Sequence, residues 1–237
     1  MRSVLATFLS TLALAGCGGT TSPTPVTAQD SGTPAADVQT AGAHDSGTVT
    51  PTPDAGAAPD VTPPAQMYPA GPYGTSVCRT FRPFSLDQCN TADGTPAPWQ
   101  FDGPDFFTSQ ITVISIAAGW CVPCQMESTQ IEARINQHYA GMGVRFVQVL
   151  VEGPDHGVPI TCPFTNTWAR RYHLTNPELM DAIGVTQPYT PMEAFPGNII
   201  VDRHGRIRFR EYGTSAGLAS LTNAIDDVLA HVDDPCQ

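Results

Sequence analysis

The 237-residue sequence contains no lysine, and all eleven of its basic residues are arginine. This absence argues against lysine-dependent chemistry such as Schiff-base formation. Charge is also sparse: charged residues make up 14% of the chain, and 22 acids against 11 bases give a net charge of −11. Because no basic stripe is present, nucleic acid is not an expected partner.

Long apolar runs are absent beyond the first seventeen residues. Arg2 followed by the apolar residues 4–14 is typical of a secretory signal, which is too short to span a bilayer as a mature helix. The sequence Leu-Ala-Gly-Cys at 14–17 resembles the bacterial lipobox, in which the cysteine is lipidated. An ordinary cleavage site after Ala15 is the alternative. We predict a signal peptide over 1–16 and a lipid anchor on Cys17, which would hold the chain firmly on a membrane.

Apolar and aromatic residues are scarce in the segment that follows. Residues 18–70 are almost entirely Gly, Thr, Ser, Pro, Ala and Asp, with Tyr68 as the one aromatic and no arginine. Such a composition cannot bury enough apolar surface to offset its ordering entropy. Residues 17–70 are therefore predicted to be a disordered tether spanning roughly 40 Å. Residues 71–237 remain for one folded domain, which is enough for a core.

The hydrophobic pattern of that domain predicts an α/β fold. Residues 111–117 (ITVISIA) and 144–151 (VRFVQVLV) resemble buried strands, and helical spacing over 124–139 joins them as a βαβ unit with a parallel strand pair. Further elements are predicted on either side: a first hairpin at 81–86 and 98–101, a helical turn at 105–110, a loop at 152–163, helices at 164–172 and 177–183, a hairpin at 198–202 and 207–212, and a closing helix at 215–231.

The cysteine count fits an exported protein. Six cysteines remain beside Cys17, an even number that suits three disulfides in an oxidising compartment, but spacing does not determine their pairing. A structural bridge between Cys78 and Cys89 is favoured, because they flank the first predicted strand. Cys162 is expected either to pair with Cys236 or to remain a free thiol.

Two cysteines stand apart from the others, because Cys121 and Cys124 lie where a buried strand gives way to a helix. The unpaired N–H groups and dipole of a helix N-terminus favour a thiolate, which makes Cys121 the expected nucleophile and Cys124 the resolving thiol. Pro123 suits the first turn of a helix, and Trp120 would cover the sulfur. Two alternatives for this pair are less favoured. A structural zinc site normally needs two such pairs and only one is present, and a purely structural bridge would close a very small loop and stabilise the fold little.

With these residues the stretch ITVISIAAGWCVPCQMES resembles the TlpA/ResA-like thiol-disulfide oxidoreductases, which are membrane-tethered redoxins of the thioredoxin fold. The resemblance extends to FPGNIIVDRHGRI at 195–207 and covers about residues 78–231. It implies a central mixed sheet with helices on both faces and an extra N-terminal hairpin. It also implies that Glu127 lies at the family's usual glutamate and that Pro196 is the cis-proline facing the cysteine pair, with Phe195 beside it at the substrate groove.

The sequence departs from the family at two positions. Ala117 replaces a frequent aromatic, and Ser115 stands where ordinary thioredoxins carry a buried acid that assists proton transfer. The second change directs attention to Glu127 as the proton-handling group. A solvated position for Glu127 is the alternative, and a trans loop proline is the alternative for Pro196. His156 and His204, in turn-rich segments, are predicted to face solvent.

The resulting hypothesis is a membrane-anchored thiol-disulfide oxidoreductase of the bacterial cell envelope that faces the periplasm, with the outer membrane slightly favoured. No cofactor or metal is expected beyond the redox-active Cys121–Cys124 disulfide. The family suggests protein thiols and disulfides as partners, including apocytochrome c or copper-site proteins, and a membrane electron donor that recharges a reductant. Two alternatives are a copper-binding assembly factor, for which Cu(I) would suit the cysteines, and a peroxiredoxin-like peroxidase.

Overall fold

The computed structural model describes residues 67–213 and 218–236, in which two buried strands form the centre. Strand β3, Ile111–Ala118, is buried at every position and pairs in parallel with β4, Val144–Glu152. Both are rich in β-branched residues, which suit a sheet covered on both faces. The predicted βαβ unit is confirmed. The predicted signal peptide, the Cys17 anchor and the tether through residue 66 lie outside the described residues.

Seven strands form one mixed sheet in the order β2-β1-β5-β4-β3-β6-β7. The pairs β3–β4 and β4–β5 are parallel, and the remaining neighbours are antiparallel. The other five strands are β1 Ser85–Gln88, β2 Ala97–Gln100, β5 Glu178–Met180, β6 Gly197–Asp202 and β7 Ile207–Tyr212.

A separate apolar core covers each face of the sheet. The long helices pack on the face that carries Val113 and Ile200, whereas the short α1 packs with an aromatic cluster on the face that carries Ile114 and Ile199. Helices on both faces of a mixed sheet and an N-terminal hairpin agree with the thioredoxin-like fold predicted from the sequence. The helices are α1 Pro104–Thr108, α2 Val122–Ile131, α3 Cys162–Tyr172 and α4 Ala219–Ala230.

Two elements differ from the sequence-based prediction. The predicted helix at 177–183 is wrong, because β5 forms there as a three-residue strand between β1 and β4. Its central residue Leu179 is fully buried, and Asp181 then accepts hydrogen bonds from the N–H groups of Gly184, Val185 and Thr186, which fold the chain into a loop. The first strand begins at Ser85 rather than at residue 81.

Helix α2 continues beyond its regular portion. The residues Glu132–Gln137 are π-helical, and together the two segments cover most of the predicted helix at 124–139. Gly141 and Gly143 follow with φ angles of 76° and 77°, which glycine adopts at little cost. They end the helix and direct the chain into β4.

Candidate active site

The Cys121–Cys124 pair lies where β3 ends and α2 begins. Cys121 is the residue that caps the helix, and its Sγ accepts a hydrogen bond from the backbone N–H of Cys124 over 3.2 Å. Pro123 lies in the first turn of α2, where its missing N–H leaves no helical hydrogen bond unmade. The two sulfurs are joined in a disulfide.

The two sulfurs differ in exposure. Cys121 is 3% exposed and Cys124 is fully buried, whereas Val122 between them is 62% exposed. A partner thiol or disulfide approaching from solvent therefore meets Cys121 first. In the reduced protein, the helix N-terminus and the N–H of Cys124 would both stabilise a thiolate on Cys121.

A close approach of two loops supports the start of α2. Gly119, between β3 and the cysteine pair, lies so near the chain after β4 that an added Cβ would be 2.4 Å from the carbonyl oxygen of Gly153. Its own carbonyl accepts a hydrogen bond from Gln125 Nε2 over 2.8 Å. Only glycine fits at this position, because any side chain would collide with the backbone of Gly153.

Trp120 links the cysteine pair to two neighbouring segments. Its indole Nε1–H donates to Glu152 Oε2 at the end of β4, and Gly157 N–H donates to the same oxygen over 3.3 Å. The ring centroid of Trp120 lies 4.9 Å from that of His156 and 6.0 Å from that of Phe195. His156 is exposed, as the sequence predicts, but its ring lies against the tryptophan.

The segment before β6 carries the predicted proline. The peptide bond between Phe195 and Pro196 is cis, as the resemblance implies, and Pro196 is buried. Its carbonyl accepts a hydrogen bond from Gly213 N–H over 2.9 Å. Phe195 is partly buried and packs against the same core cluster as Cys121 and Trp120. The structure therefore places Trp120 and Phe195 side by side against the cluster that contains both cysteines, and Pro196 directly after Phe195.

Glu127 lies beneath the disulfide and is only 3% exposed. The alternative of a solvated helix residue is therefore wrong. It lies one helical turn after Cys124, and positions three apart share one side of a helix. Both of its carboxylate oxygens accept from Asn198 Nδ2 over 3.4 Å. Ser115, at the position of the acid in ordinary thioredoxins, pairs with Asn198 across β3 and β6.

An open groove lies beside Glu152 and Phe195, two residues that contact Trp120. It has a volume of about 570 Å³ and lies between the end of β4, the loop around Asp181 and the segment before Pro196. Glu152 and Phe195 line it, and so does Met192, whose side chain is almost fully exposed. The groove can hold a peptide side chain next to Trp120.

The other four cysteines form two disulfides, but not with the predicted partners. Cys78 is bonded to Cys236 and Cys89 to Cys162, so the predicted Cys78–Cys89 bridge and both options for Cys162 are wrong. The pairing of Cys89 with Cys162 follows from the position of β5, which lies between the end of β1 and helix α3. Cys89 N–H donates to the carbonyl of Glu178 in β5, and α3, which begins at Cys162, packs on β5.

Three residues at the site were not identified from the sequence: Glu152, Asn198 and Glu211. Glu152 had a usable signal, because it ends a strand parallel to β3, and the carboxyl ends of parallel strands meet at one edge of a sheet. Asn198 was visible as a polar residue in an apolar strand. Glu211 gave no signal, because it lies in an alternating edge strand.

The described part of the chain offers neither a metal-binding cluster nor a membrane-spanning helix. Among residues 67–213 and 218–236, no group of three or more His, Cys, Asp or Glu side chains is arranged to hold a metal ion. No helix in these ranges is long and apolar enough to cross a membrane.

Comparison with known proteins gives the family. The Redoxin family model matches residues 72–225, which is most of the described domain and well over half of the chain. The chain belongs to the redoxin family. It is a thiol-disulfide oxidoreductase with the thioredoxin fold, as the sequence predicts. No curated protein matches the chain significantly.

Solved structures agree in fold. A proposed thiol:disulfide interchange protein DsbE from Chlorobium tepidum is 16% identical with a TM-score of 0.53, and the match covers 66% of this chain and 99% of that one. A proposed protein disulfide isomerase from Bacteroides thetaiotaomicron is 18% identical with a TM-score of 0.51, and the match covers 67% and 92%. A hypothetical protein from Sinorhizobium meliloti is 19% identical, with a TM-score of 0.53 and coverage of 66% and 86%. At these identities the likeness concerns the fold.

Proposed function

We propose that this redoxin reduces disulfides of exported proteins, with Cys121 as the nucleophile and Cys124 as the resolving thiol. The observation that carries the proposal is the position of the Cys121–Cys124 disulfide at the start of α2, with the more accessible sulfur at the helix cap. Thiol-disulfide exchange requires a thiolate, and a helix N-terminus stabilises one. The reduced Cys121–Cys124 dithiol itself carries the two electrons, so the exchange uses no further cofactor.

The exchange proceeds in two steps. The thiolate of Cys121 attacks one sulfur of the substrate disulfide, a new S–S bond forms, and the other substrate sulfur leaves as a thiolate. Cys124 then loses its proton and attacks Cys121, which releases the second substrate sulfur and closes the disulfide seen here. Two electrons pass from the protein to the substrate, and a reducing donor must restore the dithiol.

The second step needs a base, because Cys124 is fully buried and cannot give its proton to bulk water directly. We assign that role to Glu127, which is buried one helical turn away and held by Asn198. Its carboxylate takes the proton of Cys124 when the disulfide closes, and returns it when the pair is reduced.

Substrate contacts are assigned to the residues around the outer sulfur. Trp120 and Phe195 provide an aromatic wall, Pro123 lies between the two cysteines, and Pro196 follows Phe195 through the cis bond. The groove beside Phe195 has room for a side chain near the substrate cysteine. An extended polypeptide can follow these elements, as protein substrates of an exchange enzyme require.

The cell envelope is the proposed location. Two disulfides that tie distant parts of the fold together, Cys78–Cys236 and Cys89–Cys162, favour an oxidising compartment. The proposed anchor on Cys17 would hold the domain on a membrane, with the outer membrane slightly favoured. A membrane electron donor would recharge the pair, and apocytochrome c or copper-site thiols are the proposed substrates.

The test is the reduction potential of the Cys121–Cys124 pair in the full chain, equilibrated in dithiothreitol or glutathione buffers. A potential near or below about −250 mV is expected, and a value near −120 mV would instead indicate an oxidant. Cys121→Ser must abolish this couple, while the Cys89→Ala/Cys162→Ala double variant should retain it. A protein with no reversible couple would contradict the exchange function.

A further inference from the structure

The edge strand β7 brings a second carboxyl group to the polar region beneath the disulfide. Glu211 lies opposite Asn198 in the register of β6 and β7, and Asn198 Nδ2 donates to its Oε1 over 3.3 Å. The same nitrogen donates to both oxygens of Glu127 over 3.4 Å. Because one nitrogen binds both carboxyl groups, their nearest oxygens lie within about 7 Å of each other.

The amide between the two carboxyl groups has an unsatisfied end. Asn198 Oδ1 is buried without a hydrogen-bond partner, and so is Oγ of the neighbouring Ser115. An ionised carboxyl group can only accept hydrogen bonds, whereas a protonated one also donates. The amide nitrogen faces both carboxyl groups, so Oδ1 accepts from neither of them. Asn198 therefore stabilises negative charge on both carboxyl groups but does not remove the repulsion between them.

We propose that Glu211 is a positioning residue whose negative charge sets the pH at which Glu127 accepts the proton of Cys124. The proposal rests on the exchange function assigned above. Glu211 is partly exposed, whereas Glu127 is buried, so the outer member of the pair connects the inner one to solvent.

The step in which the pair acts is the closing of the disulfide. In the mixed disulfide, Cys124 gives its proton to the Glu127 carboxylate, and its electron pair forms the bond to Cys121. The bond between Cys121 and the substrate sulfur breaks, and that sulfur leaves with the electron pair. The negative charge of Glu211 favours the proton on Glu127, because two nearby carboxylates resist being ionised together.

The described elements packed around the two carboxyl groups contribute mainly uncharged side chains. Helix α2 contributes Glu127 and the two cysteines, and β3 and β6 contribute the uncharged Ser115 and Asn198. Arg210, next to Glu211 in β7, lies on the other face of the sheet, where it bonds the carbonyl of Thr75 and covers the ring of Tyr212. Of the described part of α4, the residues buried against this core are apolar: Leu221, Ile225 and Val228.

The experiment follows the closing of the disulfide against pH. The full chain, reduced at Cys121 and Cys124, is mixed with 5,5′-dithiobis(2-nitrobenzoic acid), and the release of the second thionitrobenzoate is recorded by stopped flow from pH 4 to 9. We expect Glu211→Gln to move the acid midpoint of the rate down by about 1–2 pH units, which is the effect of one charge at this distance. The introduced glutamine can still accept the hydrogen bond of Asn198, so the fold is retained.

Two controls separate coupling from structural damage. Glu132→Gln, the same change further along α2, should leave the midpoint unchanged, because its carboxyl binds Thr175 on the other side. In a Glu127→Gln background, Glu211→Gln should no longer move the midpoint. An unshifted midpoint in Glu211→Gln, or an equal shift in both backgrounds, would overturn the proposal. Failure of the wild type to release the second thionitrobenzoate would instead overturn the exchange function on which the proposal rests.

Discussion

Glu178 allows a direct test of how a buried carboxyl group affects the stability of the fold. It lies in β5 and is fully buried; its Oε1 accepts from Asn176 Nδ2 over 2.7 Å, but its Oε2 has no hydrogen-bond partner. Burial raises the pKa of Glu178 well above its usual value, and the hydrogen bond from Asn176 opposes this only in part. A carboxylate at this position is therefore a cost to the folded state at neutral pH.

The direction of the pH effect follows from proton binding. Because the folded-state pKa is raised, the folded protein holds a proton that the unfolded chain has already lost. The associated stability is complete below the unfolded pKa of about 4.5, and it is lost as pH rises through the folded value. Wild-type stability should therefore decrease between pH 4.5 and neutral pH because of this group.

Glu178→Gln removes the charge and keeps the hydrogen-bond acceptor for Asn176. Relieving a buried, half-satisfied carboxylate should increase the free energy of unfolding by about 1–3 kcal/mol at pH 8. For a domain of this size, each kcal/mol raises Tm by about 2–4 °C. The gain should shrink as pH approaches 4, where Glu178 is protonated in both states.

The assay is thermal unfolding of the oxidised full chain by circular dichroism from pH 4 to 8. Glu132→Gln is the matched control, for which the expected change in stability has the opposite sign. Burial raises the pKa of Glu132, but hydrogen bonds from Asn136 and Thr175 outweigh it and leave the pKa lowered. This variant should lose stability at pH 8 and approach the wild type in acid. A Glu178→Gln protein that is less stable than wild type at pH 8, or whose gain is independent of pH, would refute the reasoning.

Three further results are expected. Cys124→Ser should trap a mixed disulfide between Cys121 and a substrate, detectable by mass spectrometry of non-reduced samples; rapid release of substrate would contradict the assigned roles. The Cys89→Ala/Cys162→Ala variant frees a loop of 73 residues and should lower the free energy of unfolding by about 4 kcal/mol in denaturant titrations. Asp202→Asn leaves two arginines facing a neutral amide and should cost about 3 kcal/mol in the same assay; a change below about 1 kcal/mol would contradict it.

The central elements were predictable because their signals are local. A strand that is mostly β-branched and apolar, such as β3, is specified as a covered strand, and glycines mark the end of the helix that follows it. The hairpin turn between β6 and β7 was predictable for the same reason: Gly205 has a φ of 75° and its N–H donates to the carbonyl of Asp202. The active site could then be located, because the cysteine pair lies between the predicted strand and the predicted helix.

The errors came from contacts between distant parts of the chain. The segment of β5 has no strong strand pattern over its three residues, and it becomes a strand because β1 and β4 offer hydrogen bonds on both sides. The pairing of Cys89 with Cys162 depends on that same insertion. Cys78 likewise meets Cys236 because its backbone N–H bonds to Ile207 at the start of β7, near the C-terminal segment. The spacing of the cysteines along the sequence does not reveal these contacts.

The buried polar residues show where local sequence does point to the site. Each of the three central strands carries a buried uncharged polar residue at the same level of the sheet: Ser115 in β3, Gln148 in β4 and Asn198 in β6. The registers place all three in one row across the sheet, beneath the start of α2. A buried polar group is costly unless it is hydrogen-bonded. Such a row is therefore a marker for a polar layer in the core.

The side chains that complete this layer come from three other elements. Gln148 binds Ser128 of α2 and Trp168 of α3, and Asn198 binds Glu127 and Glu211. The layer thus fixes α2 against the sheet and gives the buried Glu127 a hydrogen-bond donor. Apolar residues in the row would pack as well but would remove the hydrogen bonds that Asn198 donates to Glu127. The arrangement therefore explains why polar side chains interrupt three strands that otherwise need only hydrophobic burial.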